Sequence, residues 1–406
     1  MDVLVLGNGF DLAHCLPTTY LCFLKTTEFI CKQKKIKTLT IGQVFDSIKD
    51  ECKEIKDSYI AYKSVYDNHV LNQDELFKIK ELCNKNEWWQ YFQKTYNKSV
   101  GWIDFEKEIA SVINKINHMI EKHSNPDYSF DLQRFETLIA AYFQFFVEPT
   151  EKYAAIIRYN NVDMLNCSYS YRSDYRIQRD GKQNDEINKR KIAEKLFNSL
   201  EEFSKVLSLY FELFVAGTID ELKKADIILK NEEYGKFNDI ITYNYLNTFE
   251  KIYEKPNVAH IHGCLGEKII LGVNPDNNDE ANGDLSFIDF KKYYQRVLNK
   301  TDLEYLRVLI EMRRQQKIYI NVSLSIVGHS LDVTDQDSLK ELFEASNEIK
   351  VYYHKKEKIP EYVQNLIRFF GKTKFDELRY DRHLQFLPLE EFKGPDQQTT
   401  KWEANF

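Results

Sequence analysis

Four short stretches of this 406-residue chain carry residue types that can do chemistry. The first is Gly7-Asn8-Gly9-Phe10-Asp11. Glycine lets a backbone approach a phosphate closely, and a strand–turn–helix sequence sets amide N–H groups and a helix start beside one ligand position. Asp11 is suited to ribose hydroxyls or to capping the helix after the turn. The second stretch is Ile240-Ile241-Thr242-Tyr243-Asn244. The Asn244 amide donates and accepts, so it can hold a ribose hydroxyl, a carboxamide or a water, or cap the next helix. The third is His260-Ile261-His262-Gly263. In a strand the two imidazoles share a face. His262, at the strand end beside Gly263, suits acid–base work near neutral pH, whereas His260 lies deeper and reads as a hydrogen-bonded core residue. No neighbouring carboxylate or Cys completes a ligand set with them, so no metal is expected. The fourth stretch is Gly328-His329-Ser330-Leu331-Asp332. Its hydroxyl and amides can hold a ribose or a phosphate. It is not a hydrolase elbow, because Asp332 stands where G-x-S-x-G needs glycine.

Each stretch follows an apolar run. Residues 2–7 read as a strand buried on both faces, as in a parallel sheet. Further strands are expected at 239–244, 258–263, 268–273, 318–327 and 349–353, with helical patterns at 245–254, 288–315, 335–345 and 360–371. Strands alternating with helices predict an α/β, Rossmann-like, mostly parallel sheet built from both chain ends. Leu12 occupies the place of the third glycine in the dehydrogenase fingerprint, which disfavours an ordinary NAD-dependent dehydrogenase.

The middle of the chain has a different texture. Asp104 is a fitting N-cap, and Phe105 to Ile120 place apolar residues at three- and four-residue steps. Leu132 to Phe146 repeats the pattern, as does Ile192 to Phe214, which is expected to stop at Gly217. Thr218 and Glu221 then resemble a capping box. The polar stretch 168–185 reads as a loop. The resulting organisation is a discontinuous nucleotide-binding α/β domain (1–30 and 236–390), a large, mainly helical insertion (31–235) and a polar tail (393–406).

Composition excludes several classes. Hydrophobic residues at 43% and charged residues at 29% fit a globular protein. The net charge of −7 and the scattered Lys and Glu lack the clustered basic face of a nucleic-acid binder. Seven cysteines without a C-x-x-C pair argue against a zinc ribbon and a disulfide framework and for reduced thiols in the cytoplasm. No apolar run approaches the roughly 18 residues of a membrane span.

Taken together, LVLGNGFDLAHCLPTTYLCFL, IITYNYLNTFEKIY, HIHG, IILGVN and GHSLDVTDQD, in this order, resemble the bacteriophage abortive-infection AbiH family. These motifs are in turn similar to those of sirtuin-like NAD-binding domains. By that resemblance Gly7 and Gly9 bind NAD phosphates, Asn244 after Thr242 is the Asn of a Thr-x-Asn motif, and His262 before Gly263 is the catalytic histidine. Gly328, Ser330 and Leu331 match a nucleotide-contacting turn of related antiphage domains. The match is incomplete: Leu246 replaces an Asp, Asp11 replaces a small hydroxyl residue, and the zinc-binding Cys pairs are missing, which disfavours peptide deacetylation. The resemblance implies antiphage defence with NAD or a related nucleotide as substrate or ligand, an NAD glycohydrolase activity and a phage protein as trigger; a homo-oligomer is compatible with the sequence, which leaves the oligomeric state open. The alternative is a nucleotide-binding sensor or scaffold without turnover, its helical region contacting a phage or host partner.

Overall fold

The computed structural model describes residues 1–96, 104–123, 182–224, 230–274, 284–381 and 384–395, with shorter stretches between 142 and 179. Two compact units are present: Met1–Ile79 with Leu207–Ile270 and Gln295–Phe406, and Lys80–Val206 with Leu271–Tyr294.

The first unit is organised by a six-stranded sheet whose ladders are all parallel. In chain order its strands are β1 (Asp2–Leu6), β2 (Asp239–Thr242), β3 (Val258–His260), β4 (Ser323–Val327), β5 (Glu348–Tyr353) and β6 (Leu384–Pro388). They lie side by side as 3-2-1-4-5-6, the doubly wound order in which the chain reverses direction across the sheet between strands 1 and 4. Continuous apolar runs make this possible, because a parallel sheet is covered on both faces. Val3, Val5, Ile241, Leu324, Ile326, Ile349 and Val351 pack on one side, while Leu4, Leu6, Ile240 and Val327 pack on the other.

Short helices follow the strands: α1 (Asn8–Ala13) and α2 (Tyr20–Lys32) after β1, then α3 (Ile41–Ile48) and α4 (Lys53–Asn68). Thr19 caps α2, and Thr40 with Gln43 forms a capping box on α3. Pro17 explains the break between α1 and α2, since proline disfavours helix in the residue before it. The helix α5 (Gln73–Lys85) runs from the first unit into the second.

The second unit contains α6 (Glu87–Thr95), α7 (Phe105–His123) and most of α8 (Lys189–Tyr210). Asp104 accepts from the amides of Glu106 and Lys107, as its cap role predicts. Trp88 donates its indole N–H to the Leu196 carbonyl at 3.0 Å, and Phe92 stacks on Phe105. A buried Lys292–Glu106 ion pair of 2.7 Å belongs to the same unit.

Several local expectations change. The stretch 168–185 contains strands Tyr169–Tyr171, Arg176–Arg179 and the start of Lys182–Ile187, the last two paired antiparallel. The intervening Asp180-Gly181 dipeptide is a hairpin signal that polarity alone passes over. The Ile192–Phe214 helix does not stop at Gly217: a π-helical segment, Phe211–Ala216, leads into α9 (Gly217–Lys224). Thr218 therefore bonds back to the Phe214 carbonyl inside the helix and caps nothing. Within 268–273, Lys268 is exposed and residues 269–273 are buried, but they form no strand; Val273 makes only an isolated bridge to Lys291. The 288–315 pattern divides into a 3-10 turn, α11 (Lys292–Asn299) and α12 (Leu303–Lys317). Most of the helix expected at 132–146 lies outside the described residues.

β1 and β4 end in glycine turns that press together. Gly7 donates to the Val327 carbonyl at 3.0 Å and Gly9 to the Gly328 carbonyl at 2.8 Å. A Cβ on Gly9 would sit 2.6 Å from the Gly328 Cα, and one on Gly328 would reach the Phe10 amide. Gly328 also has φ +69°, which L side chains rarely adopt. Gly328→Ala and Gly9→Ala are each expected to cost more than about 3 kcal/mol in urea unfolding, whereas Gly235→Ala, facing only a 3.7 Å contact, should be close to neutral. Equal effects at all three positions would refute the crossing as the reason for these glycines.

Candidate functional site

The reversal point between β1 and β4 gathers the four stretches at the carboxyl ends of their strands, where α/β sheets of this order bind ligands. Thr242, the last residue of β2, accepts the Asn244 amide on Oγ1 at 3.1 Å and bends the chain there. That turn brings the Asn244 side chain back over β1, where Nδ2 donates to the Gly7 carbonyl at 3.1 Å. Asn244 is not a helix cap; Asn247 precedes the next helix, α10 (Thr248–Tyr253), without a side-chain cap.

His262 lies just beyond β3, and Gly263 turns the chain with φ +72° where a Cβ would collide with the Lys268 carbonyl. His262 Nε2 is 3.0 Å from Asp335 Oδ1, and His329 Nε2 is 3.4 Å from Asp335 Oδ2. Asp335 ends a 3-10 turn, Val333–Asp335, whose start is capped by Asp332. The His329 ring is held by its neighbour's backbone: Leu331 donates its amide to Nδ1 at 2.9 Å. Its proton is thereby assigned to Nε2, directed at Asp335. The edge of Tyr243 fills the angle between the two imidazoles, with ring centroids 5.3 Å from His262 and 4.3 Å from His329. Tyr243 bonds Ser338 at 2.8 Å, and burial pushes its phenol well above the ordinary range, so it stays neutral.

A second polar cluster lies behind Asn244. His260 Nδ1 is 3.1 Å from the Asn244 carbonyl and Nε2 is 2.6 Å from Glu250 Oε1. Both ring nitrogens face oxygen atoms. Asp11 is only 1% exposed. Its Oδ1 and Glu250 Oε2 are buried without a hydrogen-bond partner, and the Thr248 hydroxyl lies beside the carboxyl. α1 has no side-chain cap, so Asp11 does not cap it.

The remaining expected residues divide by exposure. Asn8 and Ser330 are exposed; Asn8 Oδ1 accepts from Thr18 at 2.6 Å, and the Ser330 carbonyl accepts from Asn365. Phe10 and Leu331 are core residues: Phe10 packs against His14, Tyr234 and Phe249, and Leu331 has φ +53°. Gly7 and Gly9 spend their amides on β4, as above. The structure thus brings Gly7, Asn244, Thr242 and His260 into one bonded group, and His262, His329 and Asp335 into another that Tyr243 adjoins. Asn244, His262, His329 and Asp335 are all buried, so the group is closed to bulk solvent.

Asp335 and the His329 ring were not singled out by sequence, although both lie in the quoted GHSLDVTDQD motif. An acidic residue a few positions beyond a strand-end histidine is the signal that could have found them. Elsewhere, Cys22 and Cys52 meet at 3.3 Å near Glu54, a potential three-ligand group far apart in sequence.

An open parallel α/β protein with a closed, histidine- and carboxylate-lined reversal point is the class these features define. The chain belongs to the bacteriophage abortive infection AbiH family, whose model spans residues 3–354. Membership implies a function in phage abortive infection. No curated protein and no solved structure matches the chain. Among the described residues, no helix is long and apolar enough to cross a membrane.

Burial raises the Asp11 carboxyl from 3.8 to about 7, a rise that Thr248 and His260 oppose and Glu250 reinforces. The protonated folded form is therefore favoured. Its stabilisation is complete below the ordinary value of 3.8 and is lost as pH rises through about 7. The full interval corresponds to on the order of 4 kcal/mol. Asp11→Asn should remove this slope, so that urea unfolding at about pH 5 and pH 8 differs less in the variant than in the parent. An unchanged difference would assign the slope to other groups.

Proposed function

We propose that this protein acts in abortive infection by binding NAD at the reversal point and hydrolysing its nicotinamide–ribose bond. The observation that carries the reading is the Asp335-oriented His262, with Asn244 anchored on Gly7, at the carboxyl edge of a 3-2-1-4-5-6 parallel sheet. In the proposed reaction the C1′–N bond breaks and its electron pair goes to the nicotinamide ring nitrogen. A water oxygen bonds C1′ of the oxocarbenium-like ribose and gives up a proton. Nicotinamide, ADP-ribose and one proton are released.

His262 supplies the proton acceptor. Donating Nε2–H to Asp335 puts the basic lone pair on Nδ1. Asp335 acts through His262 as a positioning residue, and its carboxylate stabilises the imidazolium that forms. Asn244, anchored through one amide hydrogen to Gly7, offers its amide oxygen to a ribose hydroxyl or the attacking water. The Gly7 and Gly9 amides bond β4, so phosphate recognition would fall to other groups of the Gly7–Asp11 and Gly328–Leu331 turns or require the turns to part. Burial of His262 and Asn244 fits an enzyme kept closed until a phage component opens it; an always-open NADase would exhaust its own cell.

His262→Ala is expected to lower NAD cleavage by about 10²–10⁴-fold. The assay follows nicotinamide and ADP-ribose by mass spectrometry, using purified protein with NAD, alone and with phage-infected extract. Absence of both products under both conditions would sink hydrolysis. Asp335→Asn should lower the rate by at least about tenfold and displace the acid limb of the pH–rate profile. A loss of rate with an unmoved profile would indicate only a packing role for Asp335.

The closed site also favours a second reading, in which a nucleotide binds and is not turned over. Phage protection that survives His262→Ala, with NAD binding retained, would select that sensor role.

A further inference from the structure

Large apolar side chains are exposed unevenly in this protein. Among the described residues fourteen large apolar side chains are exposed, and eight of them, Val297, Leu298, Leu303, Leu306, Ile310, Ile318, Tyr319 and Ile320, fall in the 297–320 segment of the first unit. α12 explains the pattern. Its Tyr305, Val308, Leu309 and Met312 are buried in the core beside β3. Leu303, Leu306 and Ile310 follow the i, i+3, i+7 spacing of one helix face, on the outside. Val297 and Leu298 precede the helix in the chain, and Ile318 to Ile320 follow it. Tyr319 is 98% exposed and held in the left-handed region at φ +61°, so the turn presents its ring outward.

From this surface we infer that two copies of the chain pair through α12 about a twofold axis. Three features select a second copy as the occupant. First, the exposed parts of the eight residues amount to roughly 800 Å², about what one partner contributes to a standard-size interface. Second, the charges complement themselves. Asp302 and Glu304 open the helix, while Arg313, Arg314 and Lys317 close it. A twofold perpendicular to the helix makes the two copies antiparallel and sets each acidic start against a basic end. Third, exposed apolar residues flank the helix in sequence at both ends, Val297 and Leu298 before it and Ile318 to Ile320 after it, so an antiparallel pairing brings the start of one copy toward the end of the other. With the axis between Leu306 and Ile310, Leu306 of one copy meets Ile310 of the other, and Asp302 meets Arg314. The intrachain pairs Glu304–Arg307, Glu311–Arg314 and Arg313–Glu341 are solvent-exposed and weak enough to exchange partners.

The test is sedimentation equilibrium of the full chain across micromolar concentrations. The parent should be a dimer of the 48.3 kDa chain. Leu306→Glu/Ile310→Glu and Leu306→Lys/Ile310→Lys should each raise the dissociation constant at least about a hundredfold, with the far-ultraviolet circular dichroism of the folded chain retained. Mixing the two variants should restore a heterodimer, since each Glu then faces a Lys. Ile60→Glu, exposed on α4, should leave the dimer intact. A parent that stays monomeric throughout, or a dimer that survives both double variants, would overturn the inference and leave the face to a different partner.

Discussion

The contact between the β1 turn and the β4 turn is the constraint on which the rest of the site depends. At this point the sheet reverses direction, and two backbones approach so closely that no Cβ fits between them. Gly9 and Gly328 make the approach, and the Gly7 and Gly9 amides are consumed by it. The same closeness sets the neighbouring residues. With β1 pressed on β4, the Gly7 carbonyl is presented to Asn244, and the chain after Gly328 must swing His329 toward the end of β2, against Tyr243. A glycine turn after a first strand is often taken as a phosphate cradle. Here its geometry is explained first by chain crossing, and any ligand must be accommodated around that crossing.

Two different solutions to buried charge flank the crossing. Asp335 is buried but receives two imidazoles, one of which has its proton assigned by a backbone amide. Such a carboxylate is well supplied with donors, which is why it can orient a base. Asp11 is buried with one oxygen unpartnered, and its carboxyl is raised accordingly. A protein keeps such a group at a cost in stability, which is common where a site is arranged for function instead of for folding. His260 links the Asp11 cluster to Asn244 through one imidazole-to-carbonyl bond.

Secondary structure was legible where the pattern was long and local. β1, β2, β4 and β5 are strands in apolar runs, and Asp104 caps α7 as its position before Phe105 predicts. Legibility failed where a local signal had two outcomes. Ile269, Ile270 and Leu271 are as apolar as a strand and as buried, but among the described residues they join no ladder. Gly217 looks like a helix stop, yet with φ −60° it continues one, because the π-helical segment before it keeps the chain helical. β6, with its half-exposed alternation, gave too weak an apolar run to be read.

By itself, the sequence determined the α/β class, the strand-end location of Gly7, Asn244, His262 and Gly328, and membership of the abortive-infection family. Periodicity and turn chemistry act over a few residues, so they can be read from the chain. Tertiary structure alone decided which strand ends meet, that Asp335 serves both His262 and His329, that Asp11 is buried against Thr248 and Glu250, and that the glycines are needed for each other. Those outcomes depend on strand order. The 3-2-1-4-5-6 arrangement brings β1 beside β4 although they are far apart in the chain, and no local pattern specifies which distant run will provide the neighbour.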